Sequence, residues 1–374
     1  MFSKNYNYSL IAFILLMFLS MFFLLSVTVE FYPDSLFLKS SLLNKNENEL
    51  YITPQNIVFT IFKYLNIKIS YLKHYFLIVF FIINILFLLF VIFLNNFINS
   101  INNKKKYNAN NYLLLISLSF PTVLLSITAP SAESLFSILV IFVMFEIMER
   151  KFNKLKLIFL SIILIYCYFL DKGNWLVFLV FIFYIYTLKA INNKTNLYIT
   201  IILSSSILII AGFLGEHIIL LLAEIFNLPK GFAMVNNIKK LGLDERELLD
   251  IFIRYIYFWS TLFNFINHFK DITFFILPVI VILIFITSIN LYKRWNYLKV
   301  FFTNQFVVIL IYAILTYPFF IIYILPTHAF GKYYLFIVPI LLKFLSIILK
   351  PNKLIFYMSL ISLLSTLNIL FLKM

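Results

Sequence analysis

Apolar runs of about twenty residues alternate along this chain with short stretches rich in Lys, Arg and Asn. That is the length an α-helix needs to cross the hydrocarbon core of a bilayer. The pattern predicts helices at roughly 9–29, 75–97, 112–128, 134–148, 156–170, 174–188, 197–215, 272–291, 300–325, 333–348 and 354–372, eleven in all and ten to twelve allowing for the short runs. The runs at 134–148 and 156–170 are short enough to be tilted, re-entrant or extended by their flanks. The strict alternation of an outer-membrane β-strand is missing. The expected fold is all-α: one polytopic integral membrane domain over residues 1–374, with no internal repeat.

The polar stretches orient it. KKK (104–106), ERKFNKLK (149–156), LKAINNK (188–194), YKRWNYLK (292–299) and LKPNK (349–353) are basic. The intervening turns APSAES (129–134), DKGN (171–174) and PTHAFGK (326–332) carry almost no Lys or Arg. Basic loops stay on the cytoplasmic side. The N-terminus is therefore expected inside. The first run, Ser9 to Val29, reads as a retained helix, because LLSVTVEFYP offers no small-residue cleavage site.

Two longer segments fall on the outer side, at 30–74 and 216–271, and both read as outward-facing loops. Within the second, LDERELLDIFIRYIYFW (243–259) has Asp244 and Glu247 spaced as a helix start. Arg246, Asp250 and Arg254 share one face, opposite an apolar one, as in a helix lying on a membrane surface.

Composition agrees with the pattern. Hydrophobic residues make up 63% of the 374, charged residues 12%, and mean hydropathy is +1.01. The 30 Lys and Arg against 15 Asp and Glu give a formal net charge of +15. Much of the excess lies in the loops that set topology, so it is no signature of nucleic-acid binding. It suits anionic headgroups or phosphate-bearing substrates. The single cysteine, Cys167, excludes an internal disulfide and a CxxC site, and reads as a small core residue. The four histidines lack metal-ligand spacing, so no metal site is expected.

The ionisable residues that interrupt the apolar text lie mostly on the outer face. Glu30 and Asp34 follow the first helix, where they either cap a returning helix or sit in water. Arg254 either pairs with Asp250 or faces a ligand. In SITAPSAESLF (126–136), Glu133 opens an apolar run with no basic neighbour. Either it sits in a first helical turn, helped by the helix dipole with Ser131 as cap, or it faces an outward cavity as a reactive carboxylate. In PTHAFGKYYLFIVPILL (326–342), His328 and Lys332 stand at a helix mouth, followed by Tyr333 and Tyr334. They suit an interfacial anchor or a phosphate site.

This plan resembles the Wzy-like O-antigen and capsule repeat-unit polymerases, within the wider GT-C-like membrane glycosyltransferases. The residues that carry the resemblance are SFPTVLLSITAPSAESLF (119–136), similar to a "P…ESLF" hairpin, and HAFGKYYLFIVPILL (328–342), similar to an "RYYLP..P" turn. Lys332 stands where those enzymes commonly have Arg. The resemblance implies a bacterial inner-membrane protein whose two larger loops are periplasmic. Its substrates would be oligosaccharides linked to undecaprenyl pyrophosphate, used without metal or nucleotide cofactor, and a chain-length regulator protein would be a partner. Glu133 or Asp34 would then be the catalytic base, and Arg254, His328, Lys332, Tyr333 and Glu30 would bind pyrophosphate or glycan.

Three other activities fit parts of this picture. A GT-C transferase using a polyprenyl-phosphate sugar would depend more strongly on Asp34. A lipid-oligosaccharide flippase would carry charges buried mid-helix and repeat symmetry, neither of which the sequence shows. An acyltransferase would need a His–carboxylate constellation, and the histidines provide no obvious one.

Overall fold

The computed structural model describes residues 76–101, most of 109–123, 132–148, 154–170, 286–293 and 335–373, with single helical positions between 175 and 321. All regular structure among the described residues is helical. The chain divides into two compact units, residues 1–171 and 172–374.

The first unit contains α1 (Phe76–Ile101), α2 (Ala109–Ser117), α3 (Ala132–Ile147) and α4 (Lys154–Leu170). α3 is its axis. Every residue from 135 to 147 is buried, and α1, α2 and α4 all pack against it. A helix apolar on all sides has to be enclosed on all sides.

α1 and α4 are two-faced. On α1, Asn84, Leu88, Val91 and Asn95 are buried, at the four-three-four spacing of one helix face. On α4 the buried stripe is Lys156, Leu160, Ile163, Cys167 and Leu170. The opposite faces are exposed and mostly apolar: Ile82, Leu86, Leu89, Phe90, Phe93 and Phe97 on α1, and Leu155, Leu157, Ile158, Ile162, Ile165 and Phe169 on α4, with Asn96, Lys154 and Ser161 as exposed polar residues.

α2 departs from the expected single helix over 112–128. It begins at Ala109 and ends at Ser117. Ser117 Oγ donates to the Leu114 carbonyl at 2.5 Å, and the amides of Leu118 and Phe120 bond three residues back. Tightened bonds of this kind close a helix. Pro121 follows, and the residue before a proline is disfavoured in helical geometry.

In the second unit, α5 (Val338–Ile348) and α6 (Pro351–Lys373) pack against each other. Expected at 333–348, α5 instead follows a 3₁₀ turn at 335–336 and carries Pro339 in its first turn, where a missing N–H costs nothing. Leu349 then turns extended, its amide bonding back to the Leu345 carbonyl at 2.8 Å. Pro351 starts α6 in turn. Residues 286–293 are helical, reaching two positions past the expected end of the 272–291 run.

Among the described residues, no helix is long and apolar enough to cross a membrane.

Candidate functional site

Glu133 is the second residue of α3, in the first turn of the most deeply buried helix of its unit. Its backbone is helical; its side chain lies outside the described residues. First-turn placement is one of the two expectations for this residue, and there the partial positive charge of the helix start favours a carboxylate. Glu30, Asp34, Arg254, His328, Lys332 and Tyr333 all lie outside the described residues, as do the first helix and the 30–74 loop.

At its other end α3 carries a second carboxylate, and here the side chains are in view. Glu146 is 1% exposed and forms an ion pair with Lys156, the third residue of α4. Its Oε1 accepts a hydrogen bond from Asn95 Nδ2 at 3.2 Å. Asn95, Glu146 and Lys156 are all buried. One acid, one base and one amide thus join α1, α3 and α4 at one point. Each charge loses several kcal/mol of hydration in such a place. The cluster offsets that loss by pairing the charges and by an amide bond to the carboxylate, of a kind worth about 1.5–3 kcal/mol.

Sequence reasoning missed this cluster. It placed Lys156 in the basic 149–156 connection and gave Glu146, near the end of the 134–148 helix, no partner; the structure pairs the two. The connection between α3 and α4 is short, so the last turn of one helix faces the first turn of the next, and two opposite charges there neutralise each other. A carboxylate in the apolar text of LVIFVMFEIM (139–148), with a lysine ten residues on across a tight connection, was the available signal. Asn95, 51 residues upstream of Glu146, left none.

The second unit has a buried aromatic cluster. Phe336, immediately before α5, stacks on Phe178 with ring centroids 5.1 Å apart. It also touches Phe181 and Tyr317, at 5.8 Å in each case. Phe181 meets Tyr317 edge-on at 4.9 Å. All four rings are buried.

Tyr255, next to Arg254, and Trp259 are helical and four apart, with rings 6.3 Å apart. Tyr255 Oη donates to the Ile314 carbonyl at 2.8 Å. Residues 313 and 314 form a π-helical turn, a widening that leaves a backbone carbonyl open to a side-chain donor. Tyr255 thereby meets the backbone of the 300–325 segment at Ile314.

Among the described residues no three His, Cys, Asp or Glu side chains are grouped to hold a metal ion. Cys167 is a buried free thiol on the inner stripe of α4. No family model, no curated protein and no solved structure matches this chain.

Proposed function

We propose that this chain is a multi-pass protein of the bacterial inner membrane that polymerises oligosaccharide repeat units carried on undecaprenyl pyrophosphate. The observation that supports its membrane setting is the large apolar surface of the first unit, which lies outside while several polar side chains are buried. Asn84, Asn95, Ser117, Ser137, Glu146 and Lys156 are inside. Outside, six large apolar side chains on α1 are 48–65% exposed and six on α4 are 45–59% exposed, with Asn96, Lys154 and Ser161 as exposed polar residues among them. Water-soluble monomers rarely expose contiguous apolar faces on this scale. Hydrocarbon is the solvent that accepts them, and it drives polar side chains inward to pair. α1 has 26 residues and no charged side chain.

The polymerase reading rests on the resemblance of the two hairpin stretches and on the outward clustering of ionisable residues. In it, the acceptor sugar hydroxyl attacks the anomeric carbon of the lipid-linked glycan. The bond from that carbon to the pyrophosphate oxygen breaks as the new glycosidic bond forms. Glu133, or Asp34 in its place, takes the hydroxyl proton. Arg254, His328 and Lys332 hold the departing pyrophosphate, with Tyr333 and Glu30 lining the glycan path. Undecaprenyl pyrophosphate leaves with the electron pair, so neither a metal nor a nucleotide is consumed.

A gel of surface polysaccharide from a strain lacking the gene tests this reading. A polymerase predicts loss of the long ladder with a single repeat unit still attached. Loss of every repeat, or a unit short of one sugar, would instead indicate a flippase or a GT-C assembly transferase. An unchanged ladder would remove the polymerase reading.

A further inference from the structure

The geometry points to Asn95, Glu146 and Lys156 as a polar clasp that sets the rotation of α3 about its axis and thereby positions Glu133 at the opposite end. This inference rests on the role proposed for Glu133 and assigns three positioning residues to that site. None of them touches substrate in it.

The reasoning starts from what holds α3. Its contacts with α1, α2 and α4 over residues 135–147 are almost all apolar. Apolar packing is tolerant: side chains of similar size exchange neighbours at modest cost, so a greasy helix in a greasy bundle has several nearly equivalent rotations. An ion pair and an amide hydrogen bond are not tolerant, because turning the helix leaves buried charges without partners. The clasp has three arms on three helices, α1 through Asn95, α3 through Glu146 and α4 through Lys156. Two contacts from different directions fix a rotation where one would leave a pivot. Buried polar groups that specify one register among several apolar ones are a known use of such residues.

The helix carries that constraint to its other end. Glu133 and Glu146 lie in the same unbroken helix, thirteen residues apart, with the chain between them enclosed. Without the clasp, a turn of about 20° moves a side-chain tip ~5 Å from the axis by roughly 2 Å. Misplacing a catalytic group by about 1 Å is enough to cost a hundredfold in rate.

The test uses the full-length protein in its own membrane, with Cys167→Ser removing the only thiol. Phe142→Cys on α3 and Phe159→Cys on α4 replace two rings in edge-to-face contact, 6.1 Å apart. Cross-linking of these thiols by a short bifunctional reagent reports the rotation of α3. The same strains, with the native phenylalanines, report the polysaccharide ladder. Glu146→Ala is expected to lower the cross-linked fraction several-fold and the long ladder about a hundredfold, both normalised to the amount of protein in the membrane. The exchange E146K/K156E restores the pair with reversed polarity. It leaves the net charge and the topology signal unchanged, and Asn95 Oδ1 can accept from the new lysine. Both readouts are expected to recover in it.

Recovery by the exchange also settles the case in which Glu146→Ala fails to accumulate, since a generic defect at position 146 would not be repaired from position 156. A Glu146→Ala protein that cross-links like the parent, or an exchange variant that accumulates without recovering the ladder, would overturn the clasp. Glu133→Gln run beside them separates the two ideas. If Glu133→Gln abolishes the ladder and Glu146→Ala leaves it whole, only the clasp is wrong. If Glu133→Gln leaves the ladder whole, the role of Glu133 falls and the positioning claim with it.

Discussion

Residues 1–171 and 172–374 each bury a side-chain cluster that ties together distant parts of the chain, and the two clusters differ in kind. In the first, a carboxylate, an ammonium and an amide meet at the junction of α1, α3 and α4. In the second, Phe178, Phe181, Tyr317 and Phe336 pack ring against ring. The aromatic cluster gains from contact area and from edge and offset-stacked geometry, about 0.5–1.5 kcal/mol per pair beyond burial. The polar cluster gains little net energy, because hydration has to be given up first. What it supplies is discrimination: one arrangement satisfies it and the neighbouring ones do not. Removing a ring should therefore cost stability in proportion to the volume lost. Removing one charge should cost more than the pair is worth, and removing both should cost less than removing one.

The largest effect is expected from breaking the polar cluster on one side only. Glu146→Ala leaves Lys156 buried without its counter-ion, and about 3–5 kcal/mol of stability should be lost, measured by thermal unfolding in detergent. Phe336→Ala, at the hub of the aromatic cluster, should approach the same size, about 3–5 kcal/mol, through the cavity it leaves. The two clusters then separate on their double variants. Glu146→Met with Lys156→Met should recover most of the loss, leaving about 1–3 kcal/mol for the buried Asn95 amide that loses its acceptor. Phe336→Ala with Tyr317→Ala should remain as unstable as the single variant or more so, because no pairing is restored. A smaller loss, about 1 kcal/mol, is expected for Tyr255→Phe, which gives up one hydrogen bond to the Ile314 carbonyl. Smallest of all is Ser161→Ala on the exposed face of α4, where the hydroxyl bonds only to the Leu157 carbonyl one turn back. A change within about 0.5 kcal/mol is expected there. A double Met variant as unstable as Glu146→Ala would erase the contrast between the two clusters.

Much of the helical plan was legible in the apolar periodicity. α3 and α4 begin within two residues of their expected starts at 134 and 156 and end within one of 148 and 170. A run of apolar side chains against basic loops is a signal that a single sequence carries in full. The early end of α2 was partly visible, since Pro121 stands inside the expected 112–128 helix. The placement of Glu133 in a first helical turn was also legible, from the Pro-Ser-Ala-Glu spacing that precedes the apolar run. The clasp was not. A lysine in a basic loop and a glutamate at a helix end both have an ordinary solvated explanation, and only the packing of α3 on α4 withdraws them from water. Asn95 is one of two adjacent asparagines, and the helical phase that buries Asn95 and exposes Asn96 is set by contacts that no local pattern encodes.

The same distinction bears on function. The transporter alternative calls for charges buried along a path through the helices. The buried charges described here sit at helix ends and neutralise each other within one cluster. They are suited to holding helices rather than to handing an ion or a charged ligand across. The proposed chemistry depends instead on Glu133, at the other end of α3.

The most direct test is therefore the surface polysaccharide made by a strain whose only copy of the gene encodes Glu133→Gln. The change removes the charge and the basicity while keeping nearly the shape of the side chain. The protein should accumulate in the membrane at the parental level, and the long ladder should collapse to a single attached repeat unit. A full-length ladder at parental intensity would contradict the account.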